Sequence, residues 1–251
     1  MLTLRNIQVS FADRRILGGI SADVAPDRIT AVMGPNGCGK TTLLRCIGGL
    51  LEPDGGEALI DGRPVADYPA RQLAQKLAFV RQHPQTDFEF SAFETVLMGR
   101  NPYQHRLQNE SQADWDIVER CMRQTGTWHL RLSTPAQMSG GELQRVMIAR
   151  ALAQETPVLL LDEPVSNLDI AHQLEIMRLL RQATDKTVLI VIHDLNLALQ
   201  FCDDLLLLHQ GGLLYHGPVA GGLTPENIRL VYGVKAHMAE GRIIFDYQAR
   251  P

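Results

Sequence analysis

Nine residues, Gly34-Pro35-Asn36-Gly37-Cys38-Gly39-Lys40-Thr41-Thr42, have the spacing of a phosphate-binding loop: Gly34, four residues, then Gly39, Lys40 and Thr41. Glycines at 34, 37 and 39 keep side chains away from phosphate oxygens. Lys40 brings a point charge to the β and γ phosphates of a nucleoside triphosphate, and the Thr41 hydroxyl can ligate magnesium. Much later, Asp162-Glu163 ends the apolar run Val158-Leu159-Leu160-Leu161. Asp162 suits a magnesium ligand opposite Thr41. With the metal neutralising Asp162, Glu163 can take a proton from a water aligned on the γ phosphate, a general-base role worth roughly 10² to 10⁴ in rate. His193, at the end of another apolar run, is read as a contact to the γ phosphate rather than as a core histidine. Gln82 can reach metal or attacking water. Met138-Ser139-Gly140-Gly141-Glu142 precedes a helix expected from near Leu143, which makes a second anion-seeking turn. Either both turns face one nucleotide within a subunit, or each faces a nucleotide held by a second copy, as a symmetric head-to-tail pair would allow.

The elements that must position these groups alternate between β and α. Ile29–Met33 reads as a short apolar strand and Thr42–Ile47 as the start of a helix, so the glycine loop lies between a strand end and a helix dipole. Upstream, Leu2, Leu4, Ile7, Val9 and Phe11, then Ile16, Ile20 and Val24, suggest antiparallel strands. Phe11, just before the turn Ala12-Asp13-Arg14-Arg15, is either a core aromatic or a ring on which an adenine stacks. Glu57–Ile60 and Leu77–Val80 read as strands, with residues 69–76 helical between them. From about residue 83 strand signals stop for seventy residues, and helices are expected at Ala92–Met98, from Ser111, and at Gly141–Ala153, suggesting an inserted helical lobe over about 83–156. Ser111 with Asp114 three residues on reads as a helix cap. Alternation resumes with Val158–Leu161, a helix from Asp169, the strand Thr187–Ile192, a helix from Asp194, and Leu205–Leu208 before a hairpin about Gly211-Gly212. Lys40, Gln82, Asp162, Glu163 and His193 all fall at or just past strand ends, where open α/β sheets collect their ligands.

A chain of 251 residues makes one large domain, or one with an insertion. A net charge of −4, with both signs spread along the chain, speaks against a dedicated nucleic-acid binder. Cys38, Cys46, Cys121 and Cys202 form no CxxC pair, which speaks against a zinc site or disulfide framework and suits a reducing cytoplasm. The N-terminus, MLTLRNIQVSF, lacks the pattern of an export signal. Val188–Ile192 and Leu205–Leu208 are far short of the roughly 20 apolar residues that span a bilayer. Membrane association is therefore expected only through a partner.

Taken together, GPNGCGKTT, Gln82, MSGGELQRVMIARAL, VLLLDEP, SNLD at 166–169 and VIHDLN around His193 resemble, in order and spacing, the nucleotide-binding subunit of an ATP-binding cassette transporter. The resemblance implies a P-loop, RecA-like α/β core with an antiparallel β subdomain and an inserted α-helical subdomain. It implies ATP with magnesium as cofactors and an ATP-sandwich dimer. In that dimer Ser139 and Gly141 touch the γ phosphate held by the opposite subunit, with Gly140 and Glu142 in the same turn. Asp169 helps couple the two sites, and Phe11 takes the adenine-stacking place. ETVLMGRNPYQHR at 94–106 and LTPENIRLVYGV at 223–234 are similar to the ATPases of iron-siderophore, haem and cobalamin importers. This implies two membrane-spanning permease subunits at the cytoplasmic face, docked on a groove including Phe88, Phe90, Met98 and Tyr103, and indirectly a solute-binding protein. Met138 and Glu142 replace the commoner Leu and Gln of the signature, and Phe11 the commoner Tyr. Cys38 stands where Ser or Ala is frequent, so nucleotide binding is expected to be sensitive to thiol modification. A soluble cassette acting on nucleic acid or the ribosome, and an exporter subunit, are the alternative readings.

Overall fold

The computed structural model describes residues 1–82, 90–104, 110–166, 168–183 and 185–246. The chain is mixed α/β and divides into two compact units, Met1–Ala66 with Leu189–Pro251, and Asp67–Val188.

The first unit opens with two long strands, β1 (Leu2–Phe11) and β2 (Arg14–Val24), paired antiparallel. Burial in β1 alternates, but it changes phase: Leu2 and Leu4 are buried, then Ile7 and Val9. A register shift between Leu4 and Ile7 absorbs the extra residue, with Asn6 in the left-handed region at φ 48°. β3 (Ile29–Met33) is buried at all five positions, Thr30 included, as suits a short and mainly apolar strand. After α1 (Lys40–Ile47) come β4 (Gly55–Ile60) and β5 (Arg63–Pro64), which complete an antiparallel sheet in the order β2-β1-β4-β5.

The second unit begins with α2 (Ala70–Leu73), shorter than the helix expected over 69–76. Gln75 and Lys76 close on Gln72 and Leu73 with i to i−3 bonds, tightening the last turn so that the chain can enter β6 (Leu77–Val80). Every described element that follows, as far as residue 153, is helical: α3 (Ala92–Leu97), a 3-10 turn at Met98–Arg100, α4 (Gln112–Gln124), two further 3-10 turns and α5 (Gly140–Ala153). Ser111 and Asp114 form the expected capping box on α4. β7 (Val158–Asp162) pairs parallel with β6, α6 (Ile170–Gln182) follows, and β8 (Thr187–Val191) divides its residues between the units.

The helices of this unit are tied by one buried cation. Arg100 is only 7% exposed; its Nε donates to Asp114 at 2.9 Å, and Nη1 donates to the Ala153 carbonyl at 2.7 Å and to Glu155 at 3.0 Å. The guanidinium lies 4.4 Å from the Tyr103 ring centre, and Tyr103 donates to the Gln154 carbonyl at 2.8 Å. Burial works to raise the Asp114 carboxyl, but hydrogen bonds from Arg100 and Ser111 outweigh it and hold the group below its ordinary value. Arg100→Ala strands those acceptors and is expected to cost about 3–5 kcal/mol of stability, read from the urea midpoint. A loss under about 1 kcal/mol would contradict this assignment.

The first unit resumes with α7 (Leu195–Phe201), β9 (Asp204–His209) and β10 (Gly212–Pro218). β3 runs parallel to β9, and β9 antiparallel to β10. After α8 (Val219–Gly222) and α9 (Pro225–Tyr232) comes a hairpin that was not foreseen from the sequence, β11 (Ala236–Ala239) with β12 (Arg242–Phe245). Its signal was Glu240-Gly241, a two-residue turn with both residues at positive φ, of 50° and 72°.

Candidate functional site

In the first unit the glycine loop joins the end of β3 to the start of α1. Gly34, Gly37 and Gly39 take φ values of 146°, 77° and 102°. A Cβ on Gly34 would stand 2.3 Å from the Leu208 carbonyl oxygen and 2.7 Å from Cys38 Sγ; one on Gly39 would stand 2.5 Å from Leu17. Gly34 admits only glycine on grounds of both φ and space, and Gly39 is held to glycine by its φ. Lys40 is 6% exposed, and its ammonium donates to the Gly34 and Pro35 carbonyls at 2.9 Å each. The charge is thereby fixed against its own loop. Asn36 and Thr41 are exposed, and Thr42 is half-buried.

The start of α1 differs from that of the other helices. Among the described α-helices of six residues or more, each of the others is capped by a side chain: Ser91, Ser111, Ser139, Asp169, Asp194 or Thr224. α1 has Gly39 at its N-cap, no side-chain cap and no acidic residue in its first turn. A helix start with no capping side chain and no acidic residue in its own first turn, beneath a left-handed glycine loop and beside a fixed ammonium, fits a polyphosphate.

Cys38 is buried, and burial pushes its thiol up despite the opposing charge of Lys40. A protonated, buried thiol is a poor nucleophile, which runs against the expected thiol sensitivity. Tyr232 of α9 also reaches this loop: burial and the proximity of Cys38 push its phenol up to about 12, against a hydrogen bond from the Gly34 backbone. Sequence reasoning missed Tyr232 because nothing in its spacing ties it to a glycine loop two hundred residues away. Phe11 is 51% exposed at the end of β1 and is not a core aromatic. His193 is likewise exposed, just after β8, so it is not a core histidine.

In the second unit Asp162 is the last residue of the wholly buried strand β7 and is 3% exposed. Glu163 follows with its backbone in the left-handed region, φ 49°, a conformation that costs a non-glycine residue energy and often marks a functional position. Gln82 Nε2 donates to Glu163 Oε2 at 2.7 Å. The amide's donor end is therefore spent on Glu163, and its oxygen is the end that it can offer a metal. Ser166 donates to the Glu163 carbonyl from Nα at 3.3 Å and from Oγ at 3.0 Å, and Gln173 donates to the Val165 and Leu168 carbonyls at 3.1 and 3.0 Å. Ser166 and Gln173 thus fix the turn that aims the catalytic candidate. They too were missed, since their work is done on backbone atoms. Asn167 lies outside the described residues.

Ser139 is the N-cap of α5, which starts at Gly140, one residue before the expected Gly141 and three before the start near Leu143 that the signature turn suggested. A capping box overrides the low helix propensity of two glycines. Ser139 donates from N and from Oγ to Glu142 Oε2, each at 2.8 Å, and the Glu142 amide donates to Ser139 Oγ at 3.3 Å. Asp169 caps α6, accepting from the His172 amide at 2.9 Å and lying 2.8 Å from its Nδ1; these two contacts hold its carboxyl below the usual range. Arg145, 8% exposed on α5, adds positive potential at both Glu142 and Asp169.

Of the expected groove, Phe88 lies outside the described residues; Phe90 is 41% exposed, Met98 is half-buried, and Tyr103 serves the unit's own packing. Among the described residues no helix is long and apolar enough to cross a membrane.

The model of the ABC transporter family matches residues 17–166. The cobalamin import ATP-binding protein BtuD of Halobacterium salinarum is 38% identical over 237 residues, 93% of this chain, and the chain spans 59% of that relative's length. The hemin import ATP-binding protein HmuV of Bordetella avium is 39% identical over 246 residues, 94% of this chain and 93% of the relative. Among solved structures, the ATP-binding cassette MJ0796, a dimer in a post-hydrolysis state bound to ADP and Pi, matches with a TM-score of 0.78 at 29% identity, covering 87% of this chain and 99% of that one.

Proposed function

The chain belongs to the ABC transporter family, and on that premise we propose that it is the ATP-hydrolysing subunit of an importer for a metal chelate. Two copies pair head to tail on two ATP molecules, and this pairing drives separate membrane-spanning subunits at the cytoplasmic face, fed by a solute-binding protein. The observation that carries the nucleotide part is α1, uncapped by any side chain, beneath left-handed glycines and beside the fixed Lys40 ammonium. Import of a metal chelate is supported by the cobalamin and hemin import relatives.

In this reading the loop 34–42 and Lys40 bind the phosphates, and Phe11 stacks on the adenine. Thr41 and Asp162 offer the hard oxygen donors that magnesium prefers, with the Gln82 amide oxygen as a third. Magnesium supplies charge neutralisation at the phosphates. Glu163 takes the proton of the attacking water, and His193 contacts the γ phosphate. Ser139, Gly140, Gly141 and Glu142 face the ATP of the other copy, with Asp169 coupling the two sites. Residues 83–156 form the inserted helical subdomain, whose exposed Phe90 suits an apolar segment of the membrane subunits.

The test is vesicle uptake with the chain, its membrane subunits and ATP, using ferric siderophore, haem and cobalamin as probes. One of these should accumulate inside only with ATP, and uptake should vanish with Lys40→Ala. Outward movement alone would point to an exporter instead.

A further inference from the structure

In this structure the donors of Ser139 already have an anion. We propose that Glu142 is an in-chain rival of the γ phosphate: ATP-driven pairing must draw Ser139 away from it, so the charge at position 142 sets how much ATP pairing requires. The inference rests on the reading that Ser139 meets the ATP of a second copy.

The geometry leaves no room for sharing. The Ser139 amide and hydroxyl both end on one carboxylate oxygen, Glu142 Oε2, at 2.8 Å each. A serine hydroxyl has one proton to give, so a phosphate oxygen that takes it must displace the carboxylate. Its bonds to Ser139 hold the Glu142 carboxyl below its ordinary value, so the rival stays ionised at neutral pH, and a phosphate meets a like charge there. Capping boxes at Ser91/Glu94 and Ser111/Asp114 have the same internal bonds, so the box alone is a structural device. At the Ser139 box the residue after the cap is a glycine, and a Cβ there would have nothing within 4 Å, so this turn is open to an incoming group.

Glu142→Gln separates charge from capping, because the amide oxygen still accepts from Ser139 while the negative charge is gone. Both forms are made in the hydrolysis-blocked Glu163→Gln chain, and ATP is titrated while the paired fraction is followed by light scattering. Glu142→Gln is expected to lower the ATP concentration for half-pairing roughly five- to tenfold, the usual gap between charged and neutral hydrogen-bond acceptors. The gap should narrow as salt rises from about 0.1 M to about 1 M, where screening shortens from about 10 Å to about 3 Å. A cap that served only the helix would alter thermal stability and give no salt-dependent gap. An unchanged or higher half-point for Glu142→Gln overturns the inference alone. If the Glu163→Gln parent never pairs with ATP, the paired reading itself fails and takes this inference with it.

Discussion

Replacing Glu163 by glutamine is expected to cut steady-state ATP turnover by about 10² to 10⁴ while leaving ATP binding in place, because an amide cannot take the proton of an attacking water. The surroundings of Glu163 make this a clean substitution. Gln82 Nε2 can still donate to the amide oxygen of residue 163 as it does to Glu163 Oε2, and the Ser166 contacts fall on a backbone carbonyl that the change does not touch. The left-handed backbone at 163 is equally open to either residue, so the position is not restrained anew. Lys40 and its loop carbonyls lie apart in sequence, so nucleotide affinity is expected to stay within about threefold of the parent. Phosphate release and ATP binding measured on one preparation check both halves. Turnover within a few-fold of the parent would remove Glu163 from the role of base.

The same residues illustrate what a sequence can carry. The glycine loop was legible because three glycines, a lysine and a threonine at fixed spacing leave few other physical uses. The strands β3, β7 and β8 were legible because they are short and mainly apolar runs, and runs of that kind are buried on both faces. The helix cap at Ser111 and the helix starts at Asp169 and Asp194 could be placed because what begins a helix is a local bond between near neighbours. What stayed hidden was non-local or made by backbone atoms. Tyr232 meets the Gly34 backbone, Ser166 holds the carbonyl of Glu163, and Arg100 gathers Asp114, Ala153 and Glu155. None of these has a period or a spacing. The start of α5 at Gly140 falls one residue before the expected Gly141. Two glycines argue locally against a helix, yet the reciprocal bonds of Ser139 and Glu142 outweigh that propensity.

The second large effect distinguishes a shared site from one built within a single chain. Lys40→Ala removes a buried ammonium from the glycine loop, and Ser139→Ala removes a hydroxyl from the helix cap of α5. Each variant alone is expected to lose most ATP turnover. If every site were assembled within one chain, mixing them could restore nothing, since each chain keeps its own lesion. In a head-to-tail pair the outcome differs. One site of a mixed pair collects both lesions, while the other joins the intact loop of the Ser139→Ala chain to the intact Ser139 turn of the Lys40→Ala chain. An equimolar mixture that exchanges freely makes about half of its pairs mixed, so at most about a quarter of the parent's sites are whole. Turnover that rises from the level of the single variants towards that ceiling places Ser139 opposite Lys40 across two copies. A mixture no more active than its components would mean that Ser139 serves its own chain, and the capping bond to Glu142 would then be an ordinary helix start.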